Sequence, residues 1–168
     1  MKEFDMLKFE LLEEKDIEIL TPIMEKSFDE DARIHLNEPK GGPPGYDNGD
    51  FLREYGLSKE STSYKISLDG QAIGCIILWI NNETKINFLG NIFIDVSLQN
   101  KGIGKRVWRF IEEEYPNTIK WCTDTPGFSK RNHNFYVNKC GFHIVRIENP
   151  MDKYKCSYIM EKEINPKY

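Results

Sequence analysis

The stretch Gln99-Asn100-Lys101-Gly102-Ile103-Gly104 follows an apolar run, "NIFIDV" (residues 91–96), and precedes an amphipathic one, "KRVWRFIEEEY" (residues 105–115). A strand that passes through a glycine-bearing turn into a helix leaves several backbone N–H groups unpaired at the helix start. Those donors and the helix dipole favour a phosphate or pyrophosphate, and Lys101 and Lys105 add positive charge beside them. Gly102 and Gly104 let the backbone approach a ligand with no Cβ in the way. The same two glycines also suit an ordinary tight turn. Two nucleotide motifs are excluded. The segment is not Gly-x-x-x-x-Gly-Lys-Ser/Thr, and Val107 stands where Gly-x-Gly-x-x-Gly requires its third glycine.

Working outward, the pattern alternates between strand and helix signals. "LKFELL" reads as a first strand, and Ile17, Leu20, Ile23, Met24 and Phe28 recur at helical spacing, with Asp16 as cap and Pro22 as a kink or late start. Residues 29–56 read as a long loop, rich in Gly and Pro, with a short helix at its end. Asp69-Gly70 lies between two β-rich runs and signals a hairpin. "KINFLGNIFIDV" is a third β-rich run, and Asp95 at its end is read as a cap on the following turn. After the helix come the strand "TIKWCT", the helix-like "SKRNHNFYVNKC" and two further strands, "FHIVRI" and "KCSYIMEKEI". An antiparallel meander followed by a β-α-β unit predicts an α/β (mixed α+β) fold. Its single sheet is mixed and mostly antiparallel, is flanked by helices, and forms one domain over residues 1–168.

Composition narrows the function. With 168 residues, 39% hydrophobic and 30% charged, the chain is sized for one packed core. A formal net charge of −4 argues against a nucleic-acid coat, although Lys101, Lys105, Arg106, Arg109, Lys130 and Arg131 could form a local basic patch. No apolar run is long enough to span a bilayer and the first residues lack a signal-peptide core, so no membrane partner and a cytoplasmic location are expected. Cys75, Cys122, Cys140 and Cys156 lie far apart with no zinc-site spacing, and reduced thiols and no metal are expected.

The Gln-x-x-Gly-x-Gly pattern after "IFIDV" resembles the pyrophosphate-binding signature of the GCN5-related N-acetyltransferases (the GNAT superfamily). The downstream "NHNFYVNKCGF" (residues 132–142) is similar to that family's second signature, an Asn and a helical Tyr followed by Gly-Phe. The element order also matches the family fold over nearly the whole chain.

The resemblance implies acetyl transfer from acetyl-coenzyme A to a primary amine. It places the cofactor in a cleft where the strand ending near Asp95 splays from "TIKWCT". The backbone of Phe93, Ile94 and Val96 would then pair with the pantetheine arm. Gln99 and the amides of Lys101, Gly102, Ile103, Gly104 and Lys105 would hold the pyrophosphate, and Asn132, preferred over Asn134, would contact the cofactor from the next helix. Ile94 would offer an oxyanion donor, and Tyr136 would protonate the departing thiolate.

The family usually puts four steps between this Tyr and the Gly of Gly-Phe, whereas Tyr136 to Gly141 is five. An extra residue inside a helix would rotate Tyr136 by about 100° relative to the strand. An extra residue in the turn would leave it in the cleft.

Asp124 faces the acceptor side in this reading and is the candidate base, with a water relay as the other route. Tyr46, Asp47, Asp50 and Tyr55 in the Gly/Pro-rich region could line the site of a small cationic amine. A non-catalytic coenzyme A sensor would share the cradle without needing Tyr136. A homodimer is compatible with either reading.

Overall fold

The computed structural model describes residues 1–164. Asp5 and Met6 both take positive φ and fold the start of the chain into a hairpin of β1 (Lys2–Phe4) and β2 (Leu7–Leu11). Only the second strand is legible in the sequence, because the turn lacks the Asn-Gly or Asp-Gly pair that usually marks this geometry. Helix α1 (Ile17–Leu36) runs straight through the Pro22 position and stops at Asn37, whose φ of 56° is left-handed. It therefore covers residues 29–36, which the sequence pattern assigned to a loop. Nothing in "DEDARIHL" breaks a helix, and the stop comes where Asn37 can adopt the left-handed cap and Glu38 precedes Pro39. Asp16 stands at the N-cap position of α1, but its carboxylate bonds no helix N–H; it accepts the Glu13 N–H and the Lys65 ammonium instead.

Past residue 51 the chain forms the π turn Leu52–Gly56 and then a meander of β3 (Thr62–Leu68), β4 (Gln71–Trp79) and β5 (Ile86–Ile94). Asp69 and Gly70, both at positive φ, close the β3–β4 hairpin as the dipeptide predicts. Helix α2 (Ile103–Glu114) crosses over to β6 (Lys120–Pro126), which lies parallel to β5. A short helix α3 (Lys130–Asn134), the π turn Phe135–Lys139, and strands β7 (His143–Glu148) and β8 (Ser157–Glu163) complete the described chain. The result is one eight-stranded sheet in the order β1-β2-β3-β4-β5-β6-β8-β7, in which β5–β6 is the parallel pair.

Two cores cover the two faces of this sheet. On one face α2 buries Ile103, Val107, Trp108, Phe110 and Ile111, the recurrence expected of an amphipathic helix, against Phe9, Ile66, Trp121 and Phe142. Each such side chain removed from water stabilises the fold by about 1.5–3 kcal/mol. On the other face Ile17, Leu20 and Met24 of α1 pack with Cys75, Ile77 and Phe93. That second layer lies chiefly against β4 and β5. None of the described helices is long and apolar enough to cross a membrane.

Candidate active site

The parallel pairing of β5 with β6 is short. It joins Ile86–Leu89 to Lys120–Thr123 and then stops, although both strands continue. Beyond that point β5 stays bound to β4 as far as Ile94, and β6 stays bound to β8 as far as Pro126. Each strand thus keeps one partner and exposes one edge to a wedge between them. The cause is local. The β4–β5 register slips between Ile77 and Leu78, leaving Gly90 as the extra residue of a bulge, and a bulge bends and twists its strand. A Cβ on Gly90 would lie 1.9 Å from the Trp79 ring, so the bulge also needs the missing side chain. At the apex the Thr123 hydroxyl donates to the Leu89 carbonyl at 2.8 Å and closes the ladder.

Backbone polarity alternates along the open edge. The Asp95 N–H donates to Ile73 on β4, and the Phe93 carbonyl sits against Gly74 on the same strand. The groups facing the wedge therefore belong to Ile92 and Ile94, because successive residues of a strand turn their N–H and C=O to opposite sides. Phe93, expected on the open edge, instead buries its ring in the α1 core and directs its carbonyl to β4. Val96 lies past the strand in a short 3-10 turn that Asp95 caps by accepting the Ser97 N–H at 2.9 Å, the role the sequence assigned to that carboxylate.

The loop that follows delivers α2 to the mouth of the wedge. Gly102, at φ 77°, is the N-cap residue and offers no side chain, so no acceptor caps the first turn of α2. The first-turn N–H groups are left without a helical partner, and Lys105 lies among them. Gly104 is required for another reason: a Cβ there would meet the Phe135 ring at 2.8 Å. A cavity of about 210 Å³ opens at this place, with Ile92, Ile94, Gln99, Gly102, Gly104 and Asn132 among its lining residues. Its charged lining consists of Lys105, Arg131 and Lys139 against a single carboxylate, Asp31. In a chain of net charge −4 this is a local reversal of sign, and it suits an anion.

Arg131 and Asp31 form a polar clasp that the sequence did not reveal. Asp31 is buried on α1. Its Oδ1 accepts from the Ser129 hydroxyl at 3.0 Å and from Arg131 Nε and a terminal Arg131 nitrogen at 3.4 Å each. The other terminal nitrogen of Arg131 donates to Gln99 Oε1 at 2.7 Å, and Gln99 Nε2 reaches the Ile94 carbonyl at 3.4 Å. His35, one turn on from Asp31, accepts the Arg131 N–H at its Nε2. Burial outweighs the attraction of Asp31 and lowers the His35 pKa, so its ring stays neutral at pH 7.

Of the residues expected to bind cofactor, Ile94, Gln99, Gly102, Ile103, Gly104, Lys105 and Asn132 line the cavity, and Phe93, Val96 and Lys101 do not. Asn132 also donates to Thr125 Oγ1 at 3.2 Å. The extra residue after Tyr136 is absorbed by the π turn, in which the Cys140 N–H reaches back to the Phe135 carbonyl. Tyr136 is buried against Phe142, outside the cavity lining, with its hydroxyl beside Thr123 at the apex of the wedge. Burial raises its pKa and keeps the hydroxyl protonated. Asp124, the next residue on β6, projects to the opposite face. Partial desolvation and then the Glu148 carboxylate raise its pKa above the ordinary aspartate value. Tyr46 is buried and donates its hydroxyl to Asp29 at 2.6 Å, which removes it from the groups free to meet a substrate. Among the described residues no group of His, Cys, Asp and Glu is arranged to hold a metal, and the four cysteines are unpaired thiols.

A sheet opened between two parallel strands beside an uncapped helix N-terminus is a cleft suited to an extended ligand that carries an anion. The chain belongs to the acetyltransferase (GNAT) family, whose profile matches residues 24–142. It is 38% identical over 144 residues to the uncharacterized protein YrkN of Bacillus subtilis (strain 168), a match covering 83% of this chain and 75% of the relative. The fold superposes on an acetyltransferase from Thermus thermophilus with a TM-score of 0.72, at 13% identity, covering 97% of this chain and 100% of that one. It also superposes on the PaiA N-acetyltransferase of Thermoplasma acidophilum, solved in complex with coenzyme A. There the TM-score is 0.70 at 16% identity, over 94% of this chain and 99% of that one.

Proposed function

We propose that the chain transfers an acetyl group from acetyl-coenzyme A to the primary amine of a small cationic acceptor. The observation that carries this reading is the open edge of β5 at Ile92 and Ile94, lying beside the uncapped start of α2 in a cavity lined by three cations and one carboxylate. The residues present fit the cofactor. An extended amide chain can add to an open strand edge, and the backbone donors of Gly102, Ile103, Gly104 and Lys105 suit a pyrophosphate. Gln99 and Asn132 complete the expected contacts; Lys101, Phe93 and Val96, which lie outside the cavity lining, would contribute only at its margins.

The cofactor supplies its acetyl group as a thioester; the chain supplies position and proton management. Ile94 offers its backbone N–H toward the wedge, where it can stabilise developing negative charge on an oxygen. Asp124 is the candidate proton acceptor for an incoming ammonium, and its raised pKa brings it closer to working pH. Tyr136 holds a proton at the apex on the other face, ready for a departing thiolate. Asp124 is exposed on the face of β6 opposite Thr123, which gives an amine access to it.

Incubation with acetyl-coenzyme A and a panel of polyamines, amino sugars and amino acids, followed by thiol release, tests the reading. Release that depends on at least one cationic amine is expected. Tight coenzyme A binding with no transfer to any amine would assign the chain to non-catalytic sensing instead.

A further inference from the structure

The clasp at the cavity mouth holds a cation in reserve. A guanidinium carries five N–H donors; in Arg131 three are engaged, two by Asp31 Oδ1 and one by Gln99 Oε1, leaving two for a ligand. The bonds to Asp31 are long, at 3.4 Å, whereas the bond to Gln99 is short, at 2.7 Å. The guanidinium is thus oriented firmly by Gln99 and only loosely neutralised by Asp31, whose Oδ1 it shares with the Ser129 hydroxyl. Its side chain is 30% exposed and lines the same cavity as Gly102 and Gly104. The other two cations there, Lys105 and Lys139, are exposed and have no ion-pair partner among the described residues to fix them. Arg131 is therefore the pre-oriented cation of the site, with a planar pair of donors suited to a phosphate oxygen pair.

We infer that Arg131, oriented by the neutral Gln99 side chain, is the cofactor-diphosphate cation of this protein. The inference rests on the coenzyme A reading of the cavity. Gln99 keeps the guanidinium at the loop so that its two spare N–H groups meet the diphosphate. Asp31 holds it from the α1 side and relaxes its grip when the anion arrives. Gln99 itself is neutral, and the charge it orients comes from position 131, on a different element.

Calorimetric titration with coenzyme A, 3′-dephospho-coenzyme A and pantetheine tests this without reference to turnover, with thermal melting as a fold check. Arg131→Gln should weaken coenzyme A and 3′-dephospho-coenzyme A by the same factor, about ten- to one-hundred-fold, and leave pantetheine unchanged. Arg131→Lys should fall between wild type and Arg131→Gln. The double variant Gln99→Arg with Arg131→Gln returns a guanidinium to the same place from the other partner and should recover most of the lost affinity.

The inference is overturned if Arg131→Gln binds coenzyme A as wild type does, or if it weakens pantetheine equally, which would make Arg131 a structural clasp alone. Loss confined to coenzyme A with 3′-dephospho-coenzyme A unaffected, or no recovery in the double variant, would also overturn it. Each of those results leaves the acetyltransferase reading standing. A wild-type chain that binds neither nucleotide would overturn both.

Discussion

Strand β5 is hydrogen-bonded to β4 out to Ile94, but to β6 only as far as Leu89. The two edges belong to the same nine residues and the same apolar sequence, so strand propensity does not explain the difference. What differs is the partner. β4 is joined by a short turn and follows the bulge at Gly90, with Trp79 laid over it. β6 arrives through a crossover helix and turns away once Thr123 has capped the ladder. The closed edge builds the core; the open edge, with the loop and helix beside it, builds the site.

Chemistry at the open edge can be broken with little effect on the closed one. Asp124→Asn should lower turnover by about one hundredfold or more, the usual size of a lost general base, with unchanged melting. The base acts when ionised, so the wild-type rate falls as pH drops through the raised Asp124 pKa. In the variant that acid limb should disappear from the pH–rate profile.

The reverse experiment damages the closed edge. Gly90→Val drives a side chain into the Trp79 ring and should cost about 2 kcal/mol, within the usual range for overpacking. Denaturant unfolding should register this as a lower midpoint, and loss of the bulge should weaken coenzyme A binding as well.

Gly104→Val sharpens the comparison from the loop side. Its Cβ meets Phe135 rather than open space, so the ring must shift within the cavity lining. About a tenfold loss of coenzyme A affinity is expected by titration, from one or two misdirected amides. Gly102 differs: no protein atom lies within 4 Å of its missing Cβ, and its φ of 77° is left-handed.

The same contrast explains what the sequence could and could not reveal. Strand, glycine loop and helix are contiguous, so residues 91–115 carry their own signal, as does the Asp-Gly hairpin. The wedge followed from the family resemblance and from where the two runs end. The clasp did not: Asp31 and Arg131 lie one hundred residues apart. Asp31 was hidden further, because the Gly/Pro-rich segment after it made its own helical turn look like loop. The clue was present in Asp31, Ala32 and His35, whose spacing continues the α1 pattern up to Asn37. Tyr136 shows another limit. Counting residues to Gly141 gives the insertion, but only the π turn shows how it is absorbed and which way the ring then packs. The family resemblance implies Phe93 on the open edge; only the register with β4 fixes the direction of each carbonyl.

The central claim is that the open edge of β5 and the start of α2 together receive the cofactor. Amide NMR during titration with coenzyme A tests it directly. The largest shifts should fall on Ile92, Ile94 and Gly102 to Lys105, with Arg131 and Gln99 following, while β1, β2 and β7 stay still. Shifts absent from those amides, or concentrated on β7 or the β1–β2 hairpin, would contradict the account.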